Sequence, residues 1–180
     1  MTTHTHELRF PLNRQTAQDI SNLRFLHRRV MALFPQLDER SGTPRRDLGV
    51  LFRVCFPGEP LGSPTAVKVI ARDTHPTVEE GQQARILVRL AAERRSDRGT
   101  RPVRDDELDD WATSKLEAAG FTVHRLAAGA QRTFGAGNLR FATRDIQAEV
   151  AVTDAATANH AMSNGIGRGK NFGLGMVVVL

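Results

Sequence analysis

The sequence is poor in several residue types whose scarcity narrows its possible functions. It contains one cysteine, Cys55, so no disulfide forms within the chain, and the apolar run Gly49–Phe56 around it favours a buried thiol. Tyrosine is absent, and only Lys68, Lys115 and Lys170 are lysines. No apolar run has the length of a membrane span, and the first residues have no hydrophobic signal core. We therefore expect a cytoplasmic protein that makes no membrane contact.

Positive charge, by contrast, is abundant. Lys and Arg total 25 against 20 Asp and Glu, which gives a formal net charge of +5 and a pI of about 10.5. This balance is typical of a chain that binds a polyanion, most often nucleic acid. Arginine makes bidentate phosphate contacts better than lysine, although arginine preference is equally typical of a G+C-rich genome. With 40% hydrophobic residues over 180 positions, the chain suffices for one large domain or two small ones.

A glycine-rich stretch, residues 164–175, is the most distinctive local feature. Its glycines permit positive φ angles and close approach of another molecule, while Arg168 and Lys170 add charge, so the stretch could cradle an anion such as phosphate. The spacing fits neither G-x-G-x-x-G nor a Walker loop, and residues 176–180 predict a strand rather than the helix that both motifs require. A Schellman-type helix stop would account for Asn164-Gly165 alone.

Hydrophobic periodicity predicts β-α-β-β in the first part of the chain. The elements are a strand at 6–10, a helix at 15–34 that ends before Pro35, and strands at 48–56 and 65–72. His27 falls near the edge of the helix's apolar stripe, flanked on its exposed side by Arg24 and Arg28, and a histidine there is either structural or available for proton transfer. His4 and His6 lack further clustered ligands, so no metal site is predicted.

After a polar segment at 75–83, the remaining residues predict β-α-β-β-α-β, the ferredoxin-like pattern. The elements are a strand at 85–91, a basic loop at 94–101, a helix from Asp105 to Gly120, strands at 121–126 and 138–152 around a turn-rich tip at 131–137, a short helix capped by Asp154, the glycine-rich stretch and a final strand. The basic loop is either solvated or RNA-facing. We predict an α+β fold of tandem ferredoxin-like units, the first less complete, in domains 1–80 and 81–180.

Two segments resemble a known family. Gly165-Ile-Gly-Arg-Gly-Lys-Asn-Phe-Gly-Leu-Gly-Met176 is similar to the signature loop of the CRISPR repeat-processing endoribonucleases of the CasE type. Leu26-His-Arg-Arg-Val-Met-Ala-Leu-Phe34 is similar to that family's catalytic-helix segment, and the element order also fits. The resemblance covers essentially the whole chain.

The resemblance implies an enzyme without metal or cofactor that cleaves CRISPR repeat RNA at the base of its hairpin. The ribose 2′-OH would be the nucleophile, leaving a cyclic phosphate and a 5′-hydroxyl. The enzyme would stay on its product beside the other subunits of the type I-E Cascade complex. His27 would be the general acid or base, since imidazoles titrate near neutrality, and Lys170 with loop amides would stabilise the phosphorane charge.

The resemblance also implies a set of RNA-binding residues. The long hairpin 121–152 would hold the RNA stem, mainly through phosphate and shape contacts, although some of its arginines could merely solvate an exposed strand face. The residues expected to contact RNA are Arg28, Arg125, Arg132, Arg140, Arg144, Arg168, Gly165, Gly167 and Gly169.

One position departs from the family's pattern. Family members commonly carry Tyr three residues before the catalytic histidine, whereas this chain has Arg24. Arg24 is therefore assigned to the candidate catalytic site as a charge stabiliser, because a guanidinium holds its protons too firmly to be a useful acid. The departure keeps open a non-catalytic RNA-hairpin-binding subunit of the same effector complex. A small-ligand or structural ferredoxin-like domain is the third alternative.

Overall fold

The computed structural model describes residues 5–34, 49–97 and 99–180, which form two main antiparallel sheets covered by helices and a separate two-stranded hairpin. The first sheet has three strands in the order β1-β3-β2. They are β1 (Thr5–Pro11), β2 (Leu51–Cys55) and β3 (Ala66–Arg72). This order is that of a ferredoxin-like unit which, in the described part of the chain, lacks its fourth strand. The prediction of a less complete first unit is confirmed.

Two short helices stand where periodicity predicts one helix at 15–34. They are α1 (Arg14–Ser21) and α2 (Leu23–Met31). Between them, the Asn22 side chain accepts a hydrogen bond from the Phe25 amide at 3.1 Å and so caps the start of α2. Periodicity hides this break because both helices bury the same face. Pro35, the predicted end of the helix, lies outside the described residues.

The second sheet follows the predicted β-α-β-β-α-β order, with strand order β10-β4-β9-β7 and β8 paired to β9. The elements are β4 (Gln83–Ala91), β5 (Glu93–Ser96), β6 (Gly99–Pro102), α3 (Asp105–Glu117), β7 (Phe121–Ala128), β8 (Arg132–Ala136), β9 (Leu139–Val152), α4 (Ala155–Asn164) and β10 (Val178–Val179). The tandem ferredoxin-like fold is thus confirmed, whereas the division at residue 80 stays a prediction. The predicted inner face of β9 is buried, as shown by Ile146, Ala148, Val150 and Val152.

Two segments predicted as loops are strands instead. The basic segment 94–101 forms the exposed hairpin β5–β6, in which Arg94 pairs with Arg101. Such a hairpin carries no apolar alternation, so periodicity cannot reveal it. The turn-rich tip contains β8, where Phe134 is 5% exposed and pairs with Phe141 of β9. Its glycines suggest a turn, but the buried phenylalanine fixes a strand.

The two halves of the chain share part of their hydrophobic interior. Helices α3 and α4 cover β4, β7 and β9 in one core, while α1 and α2 cover the first sheet in another. The latter core also includes Ala91, Phe134 and Leu174 from the second half of the chain. Because Leu174 belongs to the glycine-rich stretch, that stretch is anchored in the interior. No helix in the described ranges is long and apolar enough to span a membrane.

A buried ionic network also joins the two sheets, and sequence reasoning missed it. Arg89 Nη2 donates to Asp145 Oδ2 at 2.8 Å and to Glu59 Oε2 at 2.7 Å, and Arg53 Nη2 donates to Asp145 Oδ1 at 2.7 Å. Burial acts to raise the pKa of Asp145, but hydrogen bonds and charge from Arg89 and Arg53 outweigh it and hold that pKa below its ordinary value. The network ties β2 and the β2–β3 connection to β4 and β9.

Candidate active site

The glycine-rich stretch begins where α4 ends. Gly165 donates its amide to Ala161 O at 2.8 Å, and its φ of 75° is paired with a ψ of 167°. This ψ lies outside the left-handed helical region that a Schellman stop requires, and the next amide, Ile166 N, donates to Gly175 O rather than back into the helix, so the Schellman-type stop expected for Asn164-Gly165 is wrong. Positive φ angles, as expected, occur at Gly165, Gly167, Gly169, Gly173 and Gly175.

Most of these glycines serve the packing of the stretch on the protein itself. A Cβ on Gly175 would lie 2.2 Å from Ile166 O, and one on Gly173 would lie 2.7 Å from the Phe52 ring of β2. Gly167 differs, because the nearest atom to a Cβ there would be 3.9 Å away. The base of the stretch is thus closely packed, and open space begins at its tip.

The tip presents backbone donors and a cation. Within the part of the chain that the structure describes, the amides of Gly167, Arg168 and Gly169 form no backbone hydrogen bond. Lys170 follows in a single 3₁₀ turn, Lys170–Phe172, and its Nζ donates to Gly165 O at 3.1 Å. Amides and an ammonium group on one short segment can together bind an anion.

His27 of α2 lies directly against this turn. Its Nδ1 is 2.7 Å from Asn171 O, and its ring meets Phe172 edge-on with centroids 6.2 Å apart. A carbonyl oxygen only accepts, so Nδ1 carries the proton and Nε2 is the basic nitrogen of the neutral ring. The structure therefore brings His27 and the turn that contains Lys170 together across 144 residues of sequence separation.

The arginines that flank His27 face outward. Arg24 and Arg28 are both exposed on α2. Arg24 lines a groove of about 780 Å³ between the start of α2, the side of α1 and the β8–β9 tip at 136–139. Arg14 lines the same groove. An exposed guanidinium one helical turn before His27 can bind a phosphate beside it.

Two arginines of the predicted RNA-binding hairpin, Arg125 and Arg140, are exposed. Arg132 is exposed on β8, but it forms an ion pair with the buried carboxylate of Glu59. Since Glu59 also pairs with Arg89, Arg132 is an outer member of the buried network. The guanidinium of Arg132 is therefore already paired with a carboxylate of the protein.

Two further predicted RNA-binding arginines also have acidic partners. Arg144, whose side chain is 10% exposed, pairs with Asp105 at the start of α3. Arg168 at the tip of the glycine-rich stretch donates from Nη2 to Glu93 Oε2 at 2.5 Å. No sequence signal links these residues, because each pair is far apart along the chain. The contact between His27 and the backbone carbonyl of Asn171 likewise has no sequence signal, because any residue type carries such a carbonyl.

The described residues contain no group of three or more His, Cys, Asp or Glu side chains placed to hold a metal ion. Cys55 is buried, and burial raises the pKa of its thiol, so it is a poor nucleophile. The thiol predicted to be buried is confirmed as such. Among the described residues, the chemistry of this surface therefore centres on an imidazole, amides and cations.

Together these observations define a tandem ferredoxin-like protein whose glycine-rich stretch lies over a helix histidine. The family described as CRISPR associated protein matches residues 61–180, and the chain therefore belongs to this family. None of the curated proteins compared with it matches.

Solved structures of similar fold span the whole chain. Thermus thermophilus Cse3 bound to an RNA representing a pre-cleavage complex is 19% identical, with a TM-score of 0.74 over 98% of this chain and 97% of that one. Cas6e from Escherichia coli K-12 is 15% identical, with a TM-score of 0.65 over 97% of both chains. A chain of a CRISPR RNA-guided surveillance complex is 21% identical, with a TM-score of 0.61 over 97% of both. At these identities the likeness establishes the fold.

Proposed function

We propose that this protein is a metal-independent endoribonuclease that cleaves CRISPR repeat RNA at the base of its hairpin. The observation that carries the proposal is the 2.7 Å contact between His27 Nδ1 and Asn171 O, which places an imidazole on a cationic, amide-rich turn. Family membership and the fold shared with RNA-bound Cse3 and Cas6e support the substrate. The place of action would be the cytoplasm.

The chemistry follows from the tautomer of His27. Nε2 of the neutral ring accepts the proton of the ribose 2′-OH as its oxygen attacks the adjacent phosphorus. The bond from phosphorus to the 5′-oxygen breaks, the imidazolium returns its Nε2 proton to the 5′-oxygen, and a 2′,3′-cyclic phosphate, a 5′-hydroxyl and the neutral ring result. Lys170 and the tip amides stabilise the charge that develops on the phosphorane oxygens.

We further propose that the product RNA stays bound, with the protein as a subunit of the type I-E Cascade complex. The similar fold within a surveillance complex supports this assembly. The exposed arginines Arg28, Arg125 and Arg140 would bind RNA phosphates, while Arg24 would add charge beside the scissile phosphate.

The test is cleavage of a hairpin-forming CRISPR repeat RNA in EDTA, followed on a denaturing gel. We expect His27→Ala to lower the single-turnover rate by about 100-fold or more, the usual contribution of general acid–base catalysis. The dissociation constant of this variant for the hairpin should change little, because the arginines rather than the neutral His27 ring would contact the phosphates. His160→Ala, at an exposed histidine of α4, is the matched control.

A second candidate is a non-catalytic RNA-hairpin-binding subunit, which is favoured by Arg24 in place of a proton-donating side chain. Under that candidate, the wild-type protein binds the hairpin and leaves it intact. Cleavage that needs added metal would contradict the proposed mechanism. Absence of hairpin binding, together with the absence of its steep salt dependence, would contradict both candidates.

A further inference from the structure

A cleft of about 470 Å³ lies between strand β5 and helix α3, and His27 is not among the residues that line it. Its lining includes Glu93, Arg94, Arg95, Asp110, Trp111 and Lys115. The cleft exists because the basic segment 94–101 folds as a hairpin that stands beside α3. Strand β5 of this hairpin forms one wall of the cleft, and residues of α3 form the other.

The cleft carries cations that the described part of the protein does not neutralise. Arg95 and Lys115 are exposed, and neither forms an ion pair with any described residue. Lys115 Nζ lies 6.0 Å from the centroid of the Trp111 ring, a cation–π contact that does not neutralise the charge of the ammonium group. Arg94 is occupied, because its Nε is 3.4 Å from Glu107 Oε2.

The acids of the cleft leave this positive character in place. Asp110 is exposed on α3 and faces the cleft, and it forms no ion pair with the described residues. Glu93 is turned elsewhere: its Oε2 accepts from Arg168, and its Oε1 accepts from the Ala142 amide at 2.7 Å. Within the described ranges, two unpaired cations therefore face one unpaired carboxylate.

Glu93 also joins the cleft to the candidate active site. It belongs to β5 and lines the cleft, yet it holds Arg168 at 2.5 Å, and Arg168 stands at the tip of the glycine-rich stretch two residues before Lys170. The tip and the cleft are thus neighbours on one surface.

We infer that this cleft binds the backbone of the single-stranded RNA that flanks the repeat hairpin. The inference rests on the proposed function, since it requires RNA at the glycine-rich tip. A duplex needs a broad surface, whereas a cleft with unpaired cations on its two walls, Arg95 on β5 and Lys115 on α3, suits the backbone of a single strand. Its role is affinity for flanked precursor RNA, separate from the recognition of the hairpin.

The test compares Arg95→Gln/Lys115→Gln with the wild type on three RNAs: the hairpin alone, the hairpin with a 5′ flank, and the hairpin with a 3′ flank. We expect binding of one flanked RNA to weaken roughly fivefold at moderate salt. The slope of log K against log salt should fall by about 1.4, because each of two phosphates that the variant no longer neutralises accounts for about 0.7. Binding and cleavage of the hairpin alone should stay unchanged. The flank that responds identifies the direction of the strand.

The matched control is Arg9→Gln, an arginine on β1 whose side chain is 68% exposed and lies outside the cleft. Unchanged affinity and salt slope for both flanked RNAs would overturn the inference. Equal weakening of the bare hairpin and the flanked RNAs would also overturn it, because the cleft would then act on the stem. Either result leaves the His27 test intact, since that test compares cleavage of the repeat RNA by the wild type and by His27→Ala.

Discussion

The packing of the glycine-rich stretch leads to a prediction about two of its glycines that sequence alone does not distinguish. Gly167 and Gly175 have nearly the same backbone angle, with φ of 76° and 79°. A Cβ at position 167 would meet nothing closer than 3.9 Å, whereas a Cβ at position 175 would lie 2.2 Å from Ile166 O. Alanine should therefore be tolerated at the tip and strongly destabilising at the base.

The difference in unfolding free energy follows from the contacts. Gly167→Ala should cost about 1–2 kcal/mol, the usual penalty for a left-handed backbone with a side chain. Gly175→Ala carries the same penalty, and its overlap also disrupts two backbone bonds of 2.8 Å, from Ile166 N to Gly175 O and from Gly175 N to Arg89 O. With each bond contributing about 1 kcal/mol, the total for Gly175→Ala is about 3–4 kcal/mol.

Urea unfolding followed by the fluorescence of Trp111 would measure both values, because Trp111 is the single tryptophan and is 9% exposed. Gly175→Ala should also lower RNA cleavage, since it displaces the turn on which His27 rests. Unfolding free energies that agree within about 0.5 kcal/mol would refute the reasoning, because the overlap at position 175 would then carry no cost.

Two further predictions concern the ionisable groups between the sheets. Asp145→Asn should destabilise the protein by about 3–5 kcal/mol in the same urea assay, because Arg53 and Arg89 lose the charge that compensates their burial; a loss below about 1 kcal/mol would contradict this. Burial lowers the pKa of His75 from 6.5 although Gly49 O accepts its Nε2–H, so the unfolded chain binds a proton more readily than the folded one. The free energy of unfolding should therefore have its full value above pH 6.5 and fall below that pH. His75→Gln should reduce the slope of that fall by at most about 1.4 kcal/mol per pH unit. An equal pH dependence of the wild type and His75→Gln would contradict a lowered pKa at His75.

Much of the fold could be predicted because its elements follow hydrophobic periodicity. From Ile146 to Val152, β9 alternates buried residues with more accessible ones, and α3 begins with acids and places Leu108 and Leu116 in the core. Periodicity failed where polar groups set the structure. Asn22 breaks a continuous apolar stripe by capping a new helix, and the hairpin β5–β6 has no buried face at all.

The site was predictable to a smaller extent. Sequence and family resemblance singled out His27 and the glycine-rich stretch, and the structure brings them together. The partners of the arginines could not be foreseen, because ion pairs such as Arg168–Glu93 and Arg132–Glu59 join residues more than 70 positions apart. A count of charges treats such arginines as available to RNA, whereas in the folded protein they form ion pairs with carboxylates.

Arg89 links the stability of the protein to the geometry of the candidate site. The Arg89 side chain holds Asp145 and Glu59, while its backbone carbonyl accepts the Gly175 amide at 2.8 Å. Gly175 in turn pairs with Ile166 and closes the base of the stretch, from which the tip and the Lys170 turn extend. The glycines at the base are thus needed to seat the stretch on β2 and β4, so we propose that anion binding belongs to the open tip.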